Sequence, residues 1–186
     1  MQDVDFLKPL ESDDALRHTL FVNFYFVNME ELTLDEKIIN PFINATLNVL
    51  ETMAFIKAEA QKPYLRKDHV AKGDISGIVG ITGETNGTVF ITFDESCIVR
   101  VVSNMFGEPI NEINDDIKDA VGELTNMISG QARKELEEIG KLYQGAIPSV
   151  VSGKNYELMP VTGGPKIAVP FKTEFGNFTI EVALDE

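Results

Sequence analysis

The sequence predicts an α+β fold, two long helices packed on an antiparallel β-sheet in layers. Two observations carry that reading. Long segments with apolar residues at helical spacing alternate with runs of short strands joined by glycine-marked turns, which favours hairpins over a doubly wound sheet. The chain has 186 residues, 44% hydrophobic and 25% charged, which suffices for one domain with a sizeable core.

Residues 1–32 read differently from the rest and are assigned to an N-terminal extension, with a domain over 33–186. An acidic start (Asp3, Asp5, Glu11, Asp13, Asp14) leads into Thr19-Leu-Phe-Val-Asn-Phe-Tyr-Phe-Val27, a strand or packed segment by its aromatic and β-branched content. Thr33-Leu-Asp-Glu36 is a capping-box pattern and opens the first long helix. Pro41 marks a kink there, or the first turn of a second helix. Ile43, Leu47, Leu50 and Ala54 form its stripe, widened by Phe42, Met53, Phe55 and Ile56, so burial on more than one side is expected. Lys62-Pro63 ends it. Ile75–Thr82 and Thr88–Phe93 make a hairpin around Gly83-Glu-Thr-Asn-Gly87, whose glycines are expected to supply positive φ. No Gly-Lys-Ser/Thr follows and the loop joins two strands, so phosphate binding there is rejected.

Asp94 to Gly107 reads as a helix with an Asp N-cap and a Gly C-cap. Asn114-Asp-Asp opens the central helix, which runs to about Gly140. Ile147–Ser152, Lys166–Phe171 and Phe178–Leu184 are strands, the last alternating inward and outward. Gly176-Asn177 makes the final hairpin turn and Thr162–Pro165 a looser one.

A formal net charge of −14 argues against nucleic acid and against an anionic membrane surface, and favours a partner carrying basic groups. Cys97 is the only cysteine, so no internal disulfide or thiol metal cluster can form; it is read as a small hydrophobe. That suits a reducing cytoplasm, as does a start without signal-peptide character. No run of eighteen uncharged apolar residues spans a membrane. His18 and His69 stand far apart in no zinc-binding frame and are read as structural or solvated.

The stretch Asp119-Ala-Val-Gly-Glu123-Leu-Thr-Asn126-Met-Ile-Ser-Gly130 is the candidate site. Ile117, Val121, Leu124, Ile128 and Ile139 form an apolar stripe, while Asp119, Glu123 and Asn126, spaced four and three apart, share another face. A carboxylate one turn from a carboxamide can grip a cation and orient a water. Acid and amide residues also decorate any solvated helix face, so spacing alone assigns no role.

The surrounding chain adds a resemblance. Ile38-Ile-Asn-Pro-Phe-Ile-Asn-Ala-Thr46, Gly80-Ile-Thr-Gly83 with its hairpin to Phe93, Val101-Val-Ser-Asn-Met-Phe-Gly107, Gly122-Glu-Leu-Thr-Asn-Met-Ile-Ser-Gly130 and Pro148-Ser-Val-Val-Ser-Gly153 follow in order. Over roughly 34–186 they resemble the CheX branch of the CheC/CheX/FliY phosphatases of bacterial chemotaxis, leaving residues 1–32 outside. The family pattern Asp/Ser-x3-Glu-x2-Asn is met by Asp119, Glu123 and Asn126.

The resemblance implies an enzyme that removes the phosphoryl group from the aspartyl phosphate of a CheY-like response regulator. It assigns Asn126 to positioning the attacking water, Glu123 to an ion pair with the regulator's lysine, and Asp119 to a supporting role. It implies a CheC/CheX-like fold, a homodimer, no cofactor bound by this chain, and Mg²⁺ in the regulator's own acidic pocket. CheC-type relatives carry the motif twice; here the first helix has Lys37 at the Glu position and Asn40 followed by Pro41, a degenerate remnant. Two other classes stay open: a module that binds receiver domains without hydrolysis, and a structural protein of the flagellar switch. The intact Glu123/Asn126 pair favours the enzyme.

Overall fold

The computed structural model describes residues 36–163 and 166–185. The expected extension over 1–32, with its strand at 19–27, lies outside the described residues, as do Thr33 of the capping box and Gly164-Pro165 of the looser turn. Helix α1 (Glu36–Ala54) leads into the short strands β1 (Glu59–Ala60) and β2 (Tyr64–Arg66). The hairpin β3 (Ile75–Gly83) and β4 (Gly87–Phe93) follows, then α2 (Glu95–Phe106) and α3 (Asp115–Glu138). Strands β5 (Tyr143–Gly145), β6 (Ser149–Ser152), β7 (Lys166–Thr173) and β8 (Gly176–Leu184) complete the described chain.

One antiparallel sheet runs β1-β7-β8-β4-β3-β5, with β2 also on β7 and β6 also on β3. The predicted antiparallel α+β class therefore holds, with three helices rather than two in the described helical layer. Side chains alternate across a strand, so the register sorts the sheet into two faces. Phe93, Phe178 and Phe171 stand opposite one another on β4, β8 and β7, with ring centroids 5.2 and 4.7 Å apart. With Ile75, Val79, Ile91 and Ile180 they form the face beneath the helices, where burial contributes about 1.5–3 kcal/mol per large side chain before entropy.

On the other face Glu181 is fully buried between Arg66 and Lys166, whose Nζ stands 2.8 Å from Glu181 Oε2 as an ion pair outside hydrogen-bond geometry. Segments 67–74 and 153–163 cover this face: Ala71 N–H donates to Tyr156 O at 2.8 Å, and Leu158 N–H to His69 O at 2.7 Å. Inward and outward do alternate along β8, yet loops bury both sides. His69 sits half-buried in the first of these segments.

Local departures have physical causes. Pro41 lies in the second turn of one continuous helix, which neither ends nor restarts there. Phe55 takes φ 55° and Ile56 N–H reaches back to Leu50 O at 3.2 Å, so α1 stops at Ala54, well before Lys62-Pro63, and leaves Phe55 81% exposed. Met53 is exposed too. Gly83 and Gly87 do not adopt positive φ; a Cβ at Gly83 would overlap Leu142 O, and one at Gly87 would meet Ala183 O at 2.8 Å, so close approach explains both. The final hairpin turns at Glu174-Phe175, and Gly176, at φ 144°, already opens β8. Asp94 precedes α2 without capping it through its side chain, and Asp74 Oδ2 accepts from Glu95 N–H at 2.8 Å instead. Gly107 is the expected left-handed C-cap, at φ 72°. Cys97 is buried, and burial pushes its thiol up to about 11, the Thr173 hydroxyl offsetting only part of that.

Candidate active site

Helix α3 begins as its sequence dictates: Asn114 Oδ1 accepts from Ile117 N–H at 3.0 Å, with Asp115 and Asp116 in the first turn. Ile117, Val121, Leu124, Ile128 and Leu136 are buried beneath it. Ile139, expected in that stripe, is the C-cap and 51% exposed, because the helix ends at Glu138. Leu136 supplies the last buried contact instead.

The tightest seat is at Thr125. This residue is fully buried, donates to Val121 O at 2.7 Å, and lies directly over Gly77 of β3, where a Cβ would overlap Thr125 Oγ1. Gly77 therefore lets the helix down onto the sheet between Glu123 and Asn126. Glycine inside a β run often marks such an approach, but β3 holds Gly77, Gly80 and Gly83, and nothing local singles out Gly77. Along its flank α3 is tied to the antiparallel α1 by Asn44 Nδ2 to Glu135 Oε2 at 3.2 Å and Asn48 Nδ2 to Gln131 Oε1 at 3.1 Å.

With its underside fixed, α3 presents Asp119, Glu123 and Asn126 together on its outer face, all exposed. None of the three side chains has a hydrogen-bond or ion-pair partner among the described residues. At 100° per residue they share an arc of about 60° with Gly130 and Glu137. Ser129 Oγ bonds the Asn126 carbonyl at 3.2 Å, steadying the turn that carries the carboxamide. The related position on α1 differs: Lys37 is exposed, but Asn40 Oδ1 is buried without a partner.

Adjoining this face is a cavity of about 650 Å³, lined by Gly130, Arg133, Lys134 and Glu137 of α3, the end of β3, and the segment into β5. It includes neither Glu123 nor Asn126, which stand on open surface. Sequence reasoning singled out neither Arg133 nor Gly77. Among the described residues no cluster of three or more His, Cys, Asp or Glu could hold a metal ion. No described helix is long and apolar enough to cross a membrane.

The model of the family described as chemotaxis phosphatase CheX matches residues 75–172. The crystal structure of a CheX chemotaxis protein from Desulfovibrio desulfuricans is 52% identical, covers 80% of this chain and 99% of its own, and has a TM-score of 0.75. The CheX–CheY–BeF3–Mg²⁺ complex from Borrelia burgdorferi contains a chain 26% identical, with 80% and 98% of the two chains covered and a TM-score of 0.69. A Thermotoga maritima protein named CheY-P phosphatase CheX is 28% identical over 126 residues, 67% of this chain and 81% of that protein.

Proposed function

The chain belongs to the CheX family of chemotaxis phosphatases, and from that premise we propose that it hydrolyses the aspartyl phosphate of a CheY-like response regulator. The observation that carries this reading is the pairing of a carboxylate, Glu123, with a carboxamide, Asn126, both without side-chain partners among the described residues, on an exposed face of a firmly seated helix. An open helix face cannot shield a reaction from water. A reacting group carried on a partner whose own surface closes the site answers this, and relatives named for CheY-P or crystallised with CheY support a CheY-like receiver domain as that partner.

An acyl phosphate is intrinsically reactive, so the chain needs to supply position more than covalent chemistry. Asn126 holds a water in line with the phosphorus, much as a glutamine does in GTPases. Its carboxamide is too weak a base to take the proton outright. Glu123 pairs with the regulator's lysine and keeps the two surfaces in register, and Asp119, one turn before it, supports that charge. Mg²⁺ would sit in the regulator's own acidic pocket and neutralise phosphoryl charge there, with no cofactor held by this chain. We also take the chain to act as a cytoplasmic homodimer, which a monomer mass by light scattering at micromolar concentration would exclude.

Single-turnover dephosphorylation with a binding titration separates the two main roles. Asn126→Ala should lower turnover by about 10²-fold or more while affinity for the regulator changes little. Glu123→Ala should weaken both, more strongly at low salt. Circular dichroism should show both folded, because each side chain is exposed. A folded Asn126→Ala that keeps the parent's turnover on a regulator the parent dephosphorylates would refute the assignment.

A further inference from the structure

Arg133 lies two turns beyond Asn126 on α3 and forms no ion pair among the described residues. Its Nε donates to Ser129 O at 3.1 Å, which holds the side chain along the helix. The guanidinium rests against Gly145 of β5, where a Cβ would stand 2.8 Å from both Cζ and Nη2. On the other side Gly130 leaves room, since a Cβ there would lie 3.8 Å from Nη2. Two glycines thus bracket a guanidinium whose terminal nitrogens have no partner among the described residues, at the wall of the 650 Å³ cavity.

In a chain of net charge −14, an arginine without a carboxylate partner among the described residues is informative. Glu84, on the cavity wall, is already paired with Lys141 at 3.2 Å. Glu137 lines the same cavity without reaching ion-pair distance of Arg133. Gly130 and Glu137 share the arc of Asp119, Glu123 and Asn126, so the cavity mouth continues the outer face of the helix. Seven residues at 1.5 Å each put Arg133 about 10 Å from Asn126 along the axis, well within the roughly 800 Å² that a specific partner covers.

We propose that Arg133 is a docking residue that takes a surface carboxylate of the receiver domain seated on Glu123 and Asn126, and so helps select which regulator is a substrate. This rests on the phosphatase reading above and adds to it a second charge of opposite sign. An acid at Glu123 and a base at Arg133 give the helix a polarity, so a regulator with its charges reversed meets repulsion at both points. Holding the guanidinium against Gly145 in advance reduces the ordering cost when the carboxylate arrives.

The test uses the full chain and a phosphorylated receiver domain that the parent dephosphorylates, with steady-state rates at several salt concentrations. Arg133→Gln should raise KM by about tenfold with kcat within about twofold of the parent, and kcat/KM should fall less steeply with salt. Gly145→Ala keeps the charge but puts a methyl where the guanidinium rests, so KM should rise several-fold there too. An unchanged KM in both folded variants, or a fall in kcat at constant KM in Arg133→Gln, overturns the inference. Asn126→Ala, run alongside, keeps the two readings apart. If that variant is inactive while Arg133→Gln matches the parent, only the docking role fails; if it is fully active, the phosphatase assignment fails.

Discussion

Replacing Gly77 by alanine should damage catalysis without touching either proposed catalytic side chain. The new methyl would overlap Thr125 Oγ1 and lie 2.9 Å from Thr125 Cβ, inside ordinary contact distance. Thr125 cannot readily step aside, since it is β-branched, fully buried and bonded to Val121 O at 2.7 Å. Relief requires α3 to lift by about 1 Å, loosening its buried stripe, and such overpacking typically costs about 1–3 kcal/mol. The strand itself prefers alanine to glycine by about 0.5–1 kcal/mol, so the net loss should be at most about 2.5 kcal/mol. Activity should suffer more, because Glu123 and Asn126 flank Thr125 and a misplacement near 1 Å can cost about 10²-fold in rate. Urea denaturation reads the first effect and single-turnover dephosphorylation the second. Thr125→Ala in the same background removes Oγ1 and Cγ2 but leaves the 2.9 Å approach of Cβ, so recovery should be substantial and incomplete. A Gly77→Ala protein with the parent's midpoint and turnover would show that the helix is not seated there.

Two further outcomes test the sheet's far face and the start of α2. Glu181→Ala should lower stability by about 3–5 kcal/mol in urea titrations, because Lys166 would remain buried without a counter-ion and Arg66 would keep only Asp68; a loss under about 1 kcal/mol would mean that water reaches them. Asp74→Ala should cost about 0.5–2 kcal/mol at neutral pH, since the carboxylate accepts from Glu95 N–H at the start of α2 and pairs with Lys154. Burial alone would raise the Asp74 carboxyl, but the bonds from Lys154 and Glu95, with the lysine's charge, outweigh it and hold the group below its usual range. The folded form thus binds its proton less readily than the unfolded chain. The contribution is complete above the unfolded value and fades as pH falls through the folded one. The stability gap between parent and variant should therefore narrow on acidification, and a gap constant down to pH about 3 would show that the ionised form is not what stabilises.

Legibility in the sequence followed the range of the interactions. The outer face of α3 could be read because a helix repeats every 3.6 residues, so Asp119, Glu123 and Asn126 declare a common face without any tertiary knowledge. The Asn114 cap and the β3–β4 pair are equally local. Glu181 could not be read, because alternation correctly turns it away from the helices while segments 67–74 and 153–163, which bury it, carry no periodic signal. Strands β1, β2 and β5 have only two or three residues, too few to show a period, and exist through their partners β7 and β3. The glycines divide the same way. Gly107 is a local requirement of backbone conformation, legible from its place after an apolar run. Gly77 and Gly145 answer to side chains far along the chain, Thr125 and Arg133, and no local pattern announces either contact. The proposed catalytic pair is therefore written into one helix, whereas its seat on the sheet and the arginine beside it depend on long-range approach. On the docking proposal above, regulators would be distinguished by the surroundings of α3, Arg133 foremost, and not by the Glu123/Asn126 pair itself.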